Sequence, residues 1–430
     1  MPNQKTLSSI LLTNKPVLHN YETFHFLKDR HSPSLETVLY YGFTPVKCFR
    51  SSAIDRSAAK AVSSIDSIFG HPEDNEKYFN PEEKATLIKL YKNGHFNNLP
   101  SPIMLYQEKT YRTGKNKNIV RQRCGMDILG VPGSIAEAIA IQTSYAVLEE
   151  DGFKDLEVEL NSVGDKPSRE AFEKDLNLYI RSIINRLPEE TKELCKRNPH
   201  SLFFSKEEGV DFFIEEAPKP ISYLSEDSRS HLREVLEYLE ELEIPYTIND
   251  RLLAHRAIHG HTIFKIISTD PENREENEII SAYGMRYSPL SRRLGYQKST
   301  PAVGVLLSYK KKNRNKKITP EAMMPKFHFV HLGSMAKQKS LKTINFFRRE
   351  RIPICHHLTK DRLSGQMSTV DKFKMPYIII MGQKEAMEGT VMIRNTQDRS
   401  QETIPLDKLF PYLKKVALNS ECGKRKRRRY

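Results

Sequence analysis

The residues of this 430-residue chain best placed to do chemistry are cations in runs. Lys310, Lys311 and Lys312 open the block Tyr309–Pro320, which carries six Lys and Arg and no acid. A second run, Lys424, Arg425, Lys426, Arg427, Arg428 and Arg429, stands just before the last residue. Such runs bind phosphates, each contact adding a salt-sensitive increment of affinity. Between them Phe346-Phe347 is followed by Arg348, Arg349 and Arg351, and Arg394 lies further on. Aromatic and cationic groups side by side can stack an unpaired base and hold its phosphate, although the Phe pair also suits a core. From Tyr309 to Tyr430 the net charge is +19 (29 cations, 10 acids), against +14 for the whole chain, so the body before it nets −5. That asymmetry points to a polyanion, most often nucleic acid.

Histidine and cysteine offer less. At period two, His255, His259 and His261 would share one face of a strand, but no carboxylate partners them at readable distance. Cys355-His356-His357 lacks a spaced fourth ligand, so no metal site is expected. The five cysteines are far apart and form no CxxC, which argues against a disulfide framework and for a reducing cytoplasm. No run approaches 18 apolar residues, and the first 30 residues hold no apolar signal core; neither a membrane span nor a secretory signal is expected.

These groups need a frame. With 38% hydrophobic and 28% charged residues the chain can build packed cores in two or three domains. Ser34–Tyr41 reads as a helix stopped by Gly42, and Pro81–Tyr91 as a helix with Glu82 and Glu83 at its positive end. Pro102–Arg112 and Ile119–Leu129 read as strands around a basic Gly/Asn loop. Ser134–Asp151 reads as a helix with a Ser134/Glu137 capping box. Leu156–Leu160 reads as a strand, and helix-rich sequence follows to Leu242. Tyr246–Ile248, Thr262–Ile267 and Ile279–Tyr283 read as strands. Beyond the basic block strands and helices alternate: Phe327–Leu332, Ala336–Glu350, Ile352–His356, Leu363–Phe373, Tyr377–Gly382, Thr390–Asn395 and Leu406–Val416. That spacing predicts a small α/β domain with a central sheet. The terminal run is expected to be disordered through self-repulsion.

That domain contains Asp361-Arg-Leu-Ser-Gly-Gln366, then Pro376-Tyr-Ile-Ile-Ile-Met-Gly-Gln-Lys-Glu385, then Gly389-Thr-Val-Met-Ile-Arg-Asn-Thr-Gln-Asp-Arg-Ser-Gln401. Together these segments resemble the anticodon-binding domain of class II aminoacyl-tRNA synthetases, the histidyl type in particular. The body is similar too. Tyr41-Gly-Phe-Thr-Pro-Val46 resembles the family's first motif, and Arg121-Gln-Arg-Cys-Gly-Met-Asp-Ile-Leu-Gly130 the exit strand of the second. Leu160-Asn-Ser-Val-Gly-Asp165 resembles a strand and turn of the histidyl enzyme, and Pro301-Ala-Val-Gly304 the start of the third motif. The expected fold is α/β (α+β): a class II synthetase-like antiparallel sheet with flanking helices, plus a C-terminal α/β anticodon-binding-like domain. The expected domains are 1–308, with a helical insertion over about 166–245, a basic linker 309–324, the domain 325–417, and a tail 418–430.

The resemblance also implies a site. Amino-acid activation needs pre-set cations for the α-phosphate of ATP, with Mg2+. Arg112 falls on the second-motif arginine. Glu82 and Asp127 fall on acids of the amino-acid pocket, and Arg123 on its glutamine. The third-motif arginine is missing, with Lys310 nearby. Ala254 falls on the catalytic arginine of the histidine segment, Ile258 and His259 on its tyrosine pair, and Arg256 is the nearest substitute. Tyr283-Gly-Met-Arg-Tyr-Ser288 replaces a Gly-Gly-Arg-Tyr-Asp sequence, with Tyr283 or Met285 expected to fill the glycine's space. The leading expectation is a histidyl-tRNA synthetase-like protein that binds tRNA or another RNA with impaired aminoacylation, paired as a homodimer through Gly42–Val46. The alternatives are an active divergent histidine–tRNA ligase using ATP and Mg2+, and, ranked low, a regulatory subunit of ATP phosphoribosyltransferase.

Overall fold

The computed structural model describes residues 32–46, 55–63, 79–97, 99, 101–113, 119–255, 257–268, 281–311 and 325–427. They form two compact units, one holding residues 45–311 and the other joining residues 32–44 to residues 325–427. In chain order the elements up to the basic block are α1 (Pro33–Tyr40), β1 (Thr44–Pro45), α2 (Arg56–Val62), α3 (Pro81–Lys92), β2 (Ile103–Thr113), β3 (Ile119–Leu129), α4 (Ile135–Glu150) and β4 (Leu156–Ser162). There follow α5 (Lys166–Ile183), α6 (Glu189–Arg197), α7 (Asp211–Glu216), α8 (Glu226–Glu241), β5 (Tyr246–Ile248), β6 (Thr262–Ser268), β7 (Ser281–Arg286), α9 (Leu290–Arg293) and β8 (Ala302–Lys310).

Among the described residues the first unit is built on an eight-stranded sheet in the order β1-β2-β3-β8-β7-β6-β4-β5. From β2 through to β4 the pairs are antiparallel; β4 and β5 run parallel. Helix α3 starts where Asn80 accepts from the Glu83 amide (3.1 Å) and Pro81 needs no hydrogen-bond acceptor. Its Leu87 and Ile88 are buried in one cluster with Phe79, Leu105, Met285 and Tyr287, on one face of the sheet. Helix α4 is buried on nearly every side, as an apolar helix inside a domain must be. The expected capping box does not form: Ser134 itself is helical and donates to Glu234 Oε2 (2.5 Å), while Glu137 turns inward to Arg286. The helical insertion closes over its own core, including Phe172, Leu176, Ile180, Leu202 and Phe213.

The second unit adds β9 (Phe327–His331), α10 (Ser334–Arg349), β10 (Ile354–His356), α11 (Leu363–Phe373), β11 (Tyr377–Met381), α12 (Gln383–Glu388), β12 (Thr390–Asn395), β13 (Gln401–Pro405) and α13 (Leu406–Arg427). Its sheet runs β10-β9-β11-β12-β13; the first three strands are parallel and the last two antiparallel. Strand–helix alternation made this unit readable; α12 and β13, short and polar, were not.

Three expectations need correction. The body does not stop at Ser308. Tyr309 is buried in β8 opposite Gln122, its ring 5.6 Å from Phe153, and Lys310 ends the strand, so the basic linker begins at Lys311. Helix α1 does not belong with the body. It is tied to α10 and β10: Tyr41 Oη donates to Asn345 Oδ1 (3.0 Å), Arg351 pairs with Glu36 (3.0 Å), and His356 Nε2 donates to the Tyr40 carbonyl (2.7 Å). Finally, α13 runs on to Arg427, past the residue 418 at which a disordered tail was expected. Lys and Arg are good helix formers, and cations near a C-terminus oppose the helix dipole. No helix among the described residues is long and apolar enough to cross a membrane.

Candidate functional site

The register of β2, β3 and β8 sorts the expected site residues onto two faces. Leu105, Gln107 and Lys109 lie opposite Asp127, Gly125 and Arg123, which lie opposite Gly304, Leu306 and Ser308. Side chains alternate along a strand, so these residues share one face and Tyr106, Glu108, Thr110 and Arg112 share the other. The second face holds its own polar network. Tyr106 Oη and Gln122 Nε2 both donate to Glu108 Oε2 (2.8 and 3.1 Å), and Thr110 Oγ1 donates to Gln122 Oε1 (2.5 Å). Arg112 is therefore on the face away from Asp127. It pairs with Val120, seven positions along from the Leu105–Asp127 pair, roughly 24 Å at about 3.4 Å per residue. Arg112 and Asp127, both carried over from the resemblance, thus stand on opposite faces of the sheet.

Asp127 is instead engaged by a residue the sequence reading passed over. Lys84 Nζ lies 2.7 Å from both Asp127 oxygens, and both side chains are almost fully buried (4% and 3% exposed). Tyr287 Oη donates to Asp127 Oδ1 (2.9 Å). Burial pushes the Asp127 carboxyl up, to about 6, while Lys84 and the Tyr287 hydrogen bond pull it back. Nothing in the sequence marks Lys84 as buried while Lys89 and Lys92 of the same helix are not; once buried, its ammonium must find an anion. Glu82 is exposed at the start of α3, and its neighbour Glu83 accepts a hydrogen bond from Gln107.

The histidine segment is a turn and not a strand. Ala254, Ile258 and His259 are buried, and the Ala254 carbonyl lies 2.9 Å from His200 Nδ1. His255 Nδ1 accepts from the Ala257 amide (3.2 Å), and His261 adopts φ +50° just before β6. The three histidines thus share no strand face. Burial lowers the pKa of His259 well below the usual value and that of His261 to about 4, leaving both neutral. Met285 fills core beside Ile263 and Tyr287, whereas Tyr283 is only partly buried. The space above Gly284 is taken by the Phe264 ring, so this glycine admits a side chain of the protein itself. Arg256 lies outside the described residues.

The cations spread over both units. On the Asp127 face Lys109 and Lys310 are exposed and Arg121 and Arg123 partly so, with Arg123 opposite Lys109 and Arg121 opposite Lys310. Lys109 and Arg121 were not singled out from sequence, because their common face emerges only once the register is known. Lys311 is partly exposed; Lys312, Arg428 and Arg429 lie outside the described residues. In the second unit Arg349 and Arg394 are exposed. Arg348 is buried (7% exposed) and donates to Asn345 Oδ1 (3.1 Å), which removes it from the surface expected to meet phosphate. Lys424, Arg425, Lys426 and Arg427 stand in the last turns of α13. No group of three or more His, Cys, Asp or Glu among the described residues is placed to hold a metal ion.

Known proteins resemble this chain over most of its length. Residues 329–416 match the anticodon binding domain model. The histidine–tRNA ligase of Acholeplasma laidlawii is 26% identical over 359 residues, covering 81% of this chain and 84% of that protein. That of Streptococcus pyogenes serotype M28 is 25% identical over 346 residues, covering 77% and 79%. The solved apo histidyl-tRNA synthetase of S. aureus superposes with a TM-score of 0.48 at 20% identity, covering 90% of this chain and 94% of that one. Over both units the chain is thus similar to histidine–tRNA ligases, and residues 329–416 match the anticodon binding domain.

Proposed function

We propose that this chain binds tRNA or a related RNA and aminoacylates it poorly or not at all. The observation that carries the reading is the separation of Arg112 from Asp127, on opposite faces of the sheet. Activation of an amino acid joins its carboxylate to the α-phosphorus of ATP, so the phosphate-holding cation and the amino-acid pocket must converge on one reactant pair. Loss of one such donor commonly costs about 3–4 kcal/mol of transition-state stabilisation. The third-motif position and Ala254 carry no arginine, which supports a weakened hold on ATP with Mg2+.

Support for RNA comes from the anticodon binding domain match, the histidine–tRNA ligase relatives, and the exposed Arg349 and Arg394. Homodimer formation through Gly42–Val46 and residence in the cytoplasm belong to the same proposal. A second reading has one observation in its favour: Lys109 and Arg123 do lie on the Asp127 face, and would be the substitute cations of an active, divergent histidine–tRNA ligase. Histidine-dependent exchange of labelled pyrophosphate into ATP, measured beside RNA binding on the same preparation, separates the two. RNA binding without exchange is the expected result. Exchange well above background, or no affinity for any tRNA, overturns the proposal.

A further inference from the structure

Lys84 does more than neutralise a buried acid. Its Nζ lies 2.7 Å from each Asp127 oxygen, 5.4 Å from the centre of the Phe79 ring and 5.9 Å from that of Tyr287. The two rings meet edge to face, 5.6 Å apart at 74°. Tyr287 Oη holds one carboxylate oxygen in place (2.9 Å). The backbone at Gly304 also borders this group. A Cβ there would stand 2.8 Å from Asp127 Oδ1, 2.9 Å from the Tyr287 ring and 3.3 Å from Lys84 Nζ, so a larger residue would press into the space. A carboxylate, two aromatic rings within cation–π range and a wall without a side chain are what a primary ammonium ion needs on leaving water.

We propose that Asp127, Phe79, Tyr287 and Gly304 form a binding box for a primary ammonium group, and that Lys84 is its built-in occupant. The ammonium arrives on the four-carbon stem of a residue on α3, and that side chain is itself buried. A free amine, the α-ammonium of an amino acid included, finds the box already filled. A plain structural ion pair would need neither rings nor the clearance at Gly304. The inference deepens the proposed loss of activation, because a self-filled ammonium box removes one contact an amino-acid substrate would use. Its test involves neither ATP nor RNA, so the two can fail separately.

Shortening the stem should vacate the box. In the full-length chain, Lys84→Ala should unfold at a lower temperature than the wild type. Propylammonium chloride should then raise the midpoint in a saturating manner, as a ligand of the folded state does. Sodium and tetramethylammonium chlorides at equal ionic strength should not. The wild type, and Lys84→Ala combined with Asp127→Asn, should show only the salt response. If Lys84→Ala does not fold unaided, the same amine added during refolding should recover folded protein. A folded Lys84→Ala whose midpoint ignores propylammonium, or refolding that the amine does not improve, overturns the proposal. So does an equal response to tetramethylammonium, which cannot donate hydrogen bonds to Asp127.

Discussion

Arg286 and Glu137 are joined by two parallel hydrogen bonds, Nε to Oε1 at 2.6 Å and Nη2 to Oε2 at 2.5 Å, with neither side chain open to solvent. The remaining guanidinium donors reach the carbonyls of Val131 (3.0 Å) and Gly133 (3.1 Å), and His231 Nε2 lies 3.0 Å from Glu137 Oε1. One side chain from β7 thereby fastens the start of α4 to the sheet. Removing either partner leaves a buried charge, which typically costs about 3–5 kcal/mol. Arg286→Met and Glu137→Gln should each lower the unfolding free energy by an amount in that range, read from denaturant titrations. The double variant should lose less than the sum, as a coupled pair does. Additive losses would show that the two residues act independently.

The same pair and the buried histidines set the response to acid. Burial alone would raise the Glu137 carboxyl, but Arg286 and then His231 hold it at about 2. Its contribution is present above the ordinary carboxylate value and is lost as pH falls through about 4.5 towards 2. Histidine acts earlier. Burial lowers His328 to about 3 and His356 to about 4, so both stay neutral in the fold while the unfolded chain takes up protons near 6.5. Stability should fall as pH drops from about 6.5 towards 4, because the unfolded state then binds more protons. Denaturant midpoints of the full chain between pH 7.5 and 4 (roughly the span of these groups) would reveal the slope. His328→Phe should flatten it; an unchanged slope would assign the acid response elsewhere.

Gly284 gives a sharper packing test. A Cβ at this position would stand 2.1 Å from Phe264 Cζ, a distance no contact tolerates. Gly284→Ala should therefore destabilise by about 1–3 kcal/mol, the usual cost of overpacking. Phe264→Leu should relieve much of that clash while costing stability of its own, so the double variant should be more stable than additivity predicts. A neutral Gly284→Ala would mean that Phe264 moves aside freely.

How far the sequence could be read depends on which physical signal each residue carries. The strands and helices of the second unit followed from apolar runs broken by Gly and Pro, and α10, α11 and β12 fall within two residues of expectation. The eleven-pair β2–β3 ladder was legible because both strands are long and flank a Gly/Asn-rich stretch of sequence. What escaped was information held between elements. That Arg112 and Asp127 face opposite ways requires the register, since a one-residue slip exchanges the faces. That Lys84 is Asp127's partner requires knowing that α3 lies over that face of the sheet. Helix α1 looked like part of the body because its neighbours in sequence are, yet Asn345, Arg351 and His356 hold it from more than 300 positions away.

The RNA reading makes a graded prediction across three classes of cation. Arg349 and Arg394 are exposed on α10 and β12, where a guanidinium can reach phosphate. Replacing either with Ala should weaken RNA binding to a similar degree across sequences and reduce the salt dependence by about one contact each. Arg348 is adjacent to Arg349 but buried, donating to the Asn345 oxygen that also accepts from Tyr41. Arg348→Ala should lower stability by roughly 1.5–3 kcal/mol, as loss of a charged hydrogen bond does, and leave the salt slope as it was. Deleting Lys424–Tyr430 removes six cations. At about 0.7–0.9 of a slope unit per neutralised phosphate, it should lower the slope by up to roughly four to five units. Titrations of a labelled tRNA at several salt concentrations, with each variant's unfolding midpoint beside them, separate these outcomes. If Arg348→Ala alone weakened RNA binding while Arg349→Ala and Arg394→Ala did not, the RNA would have to meet this unit on a surface that opens only when α10 rearranges.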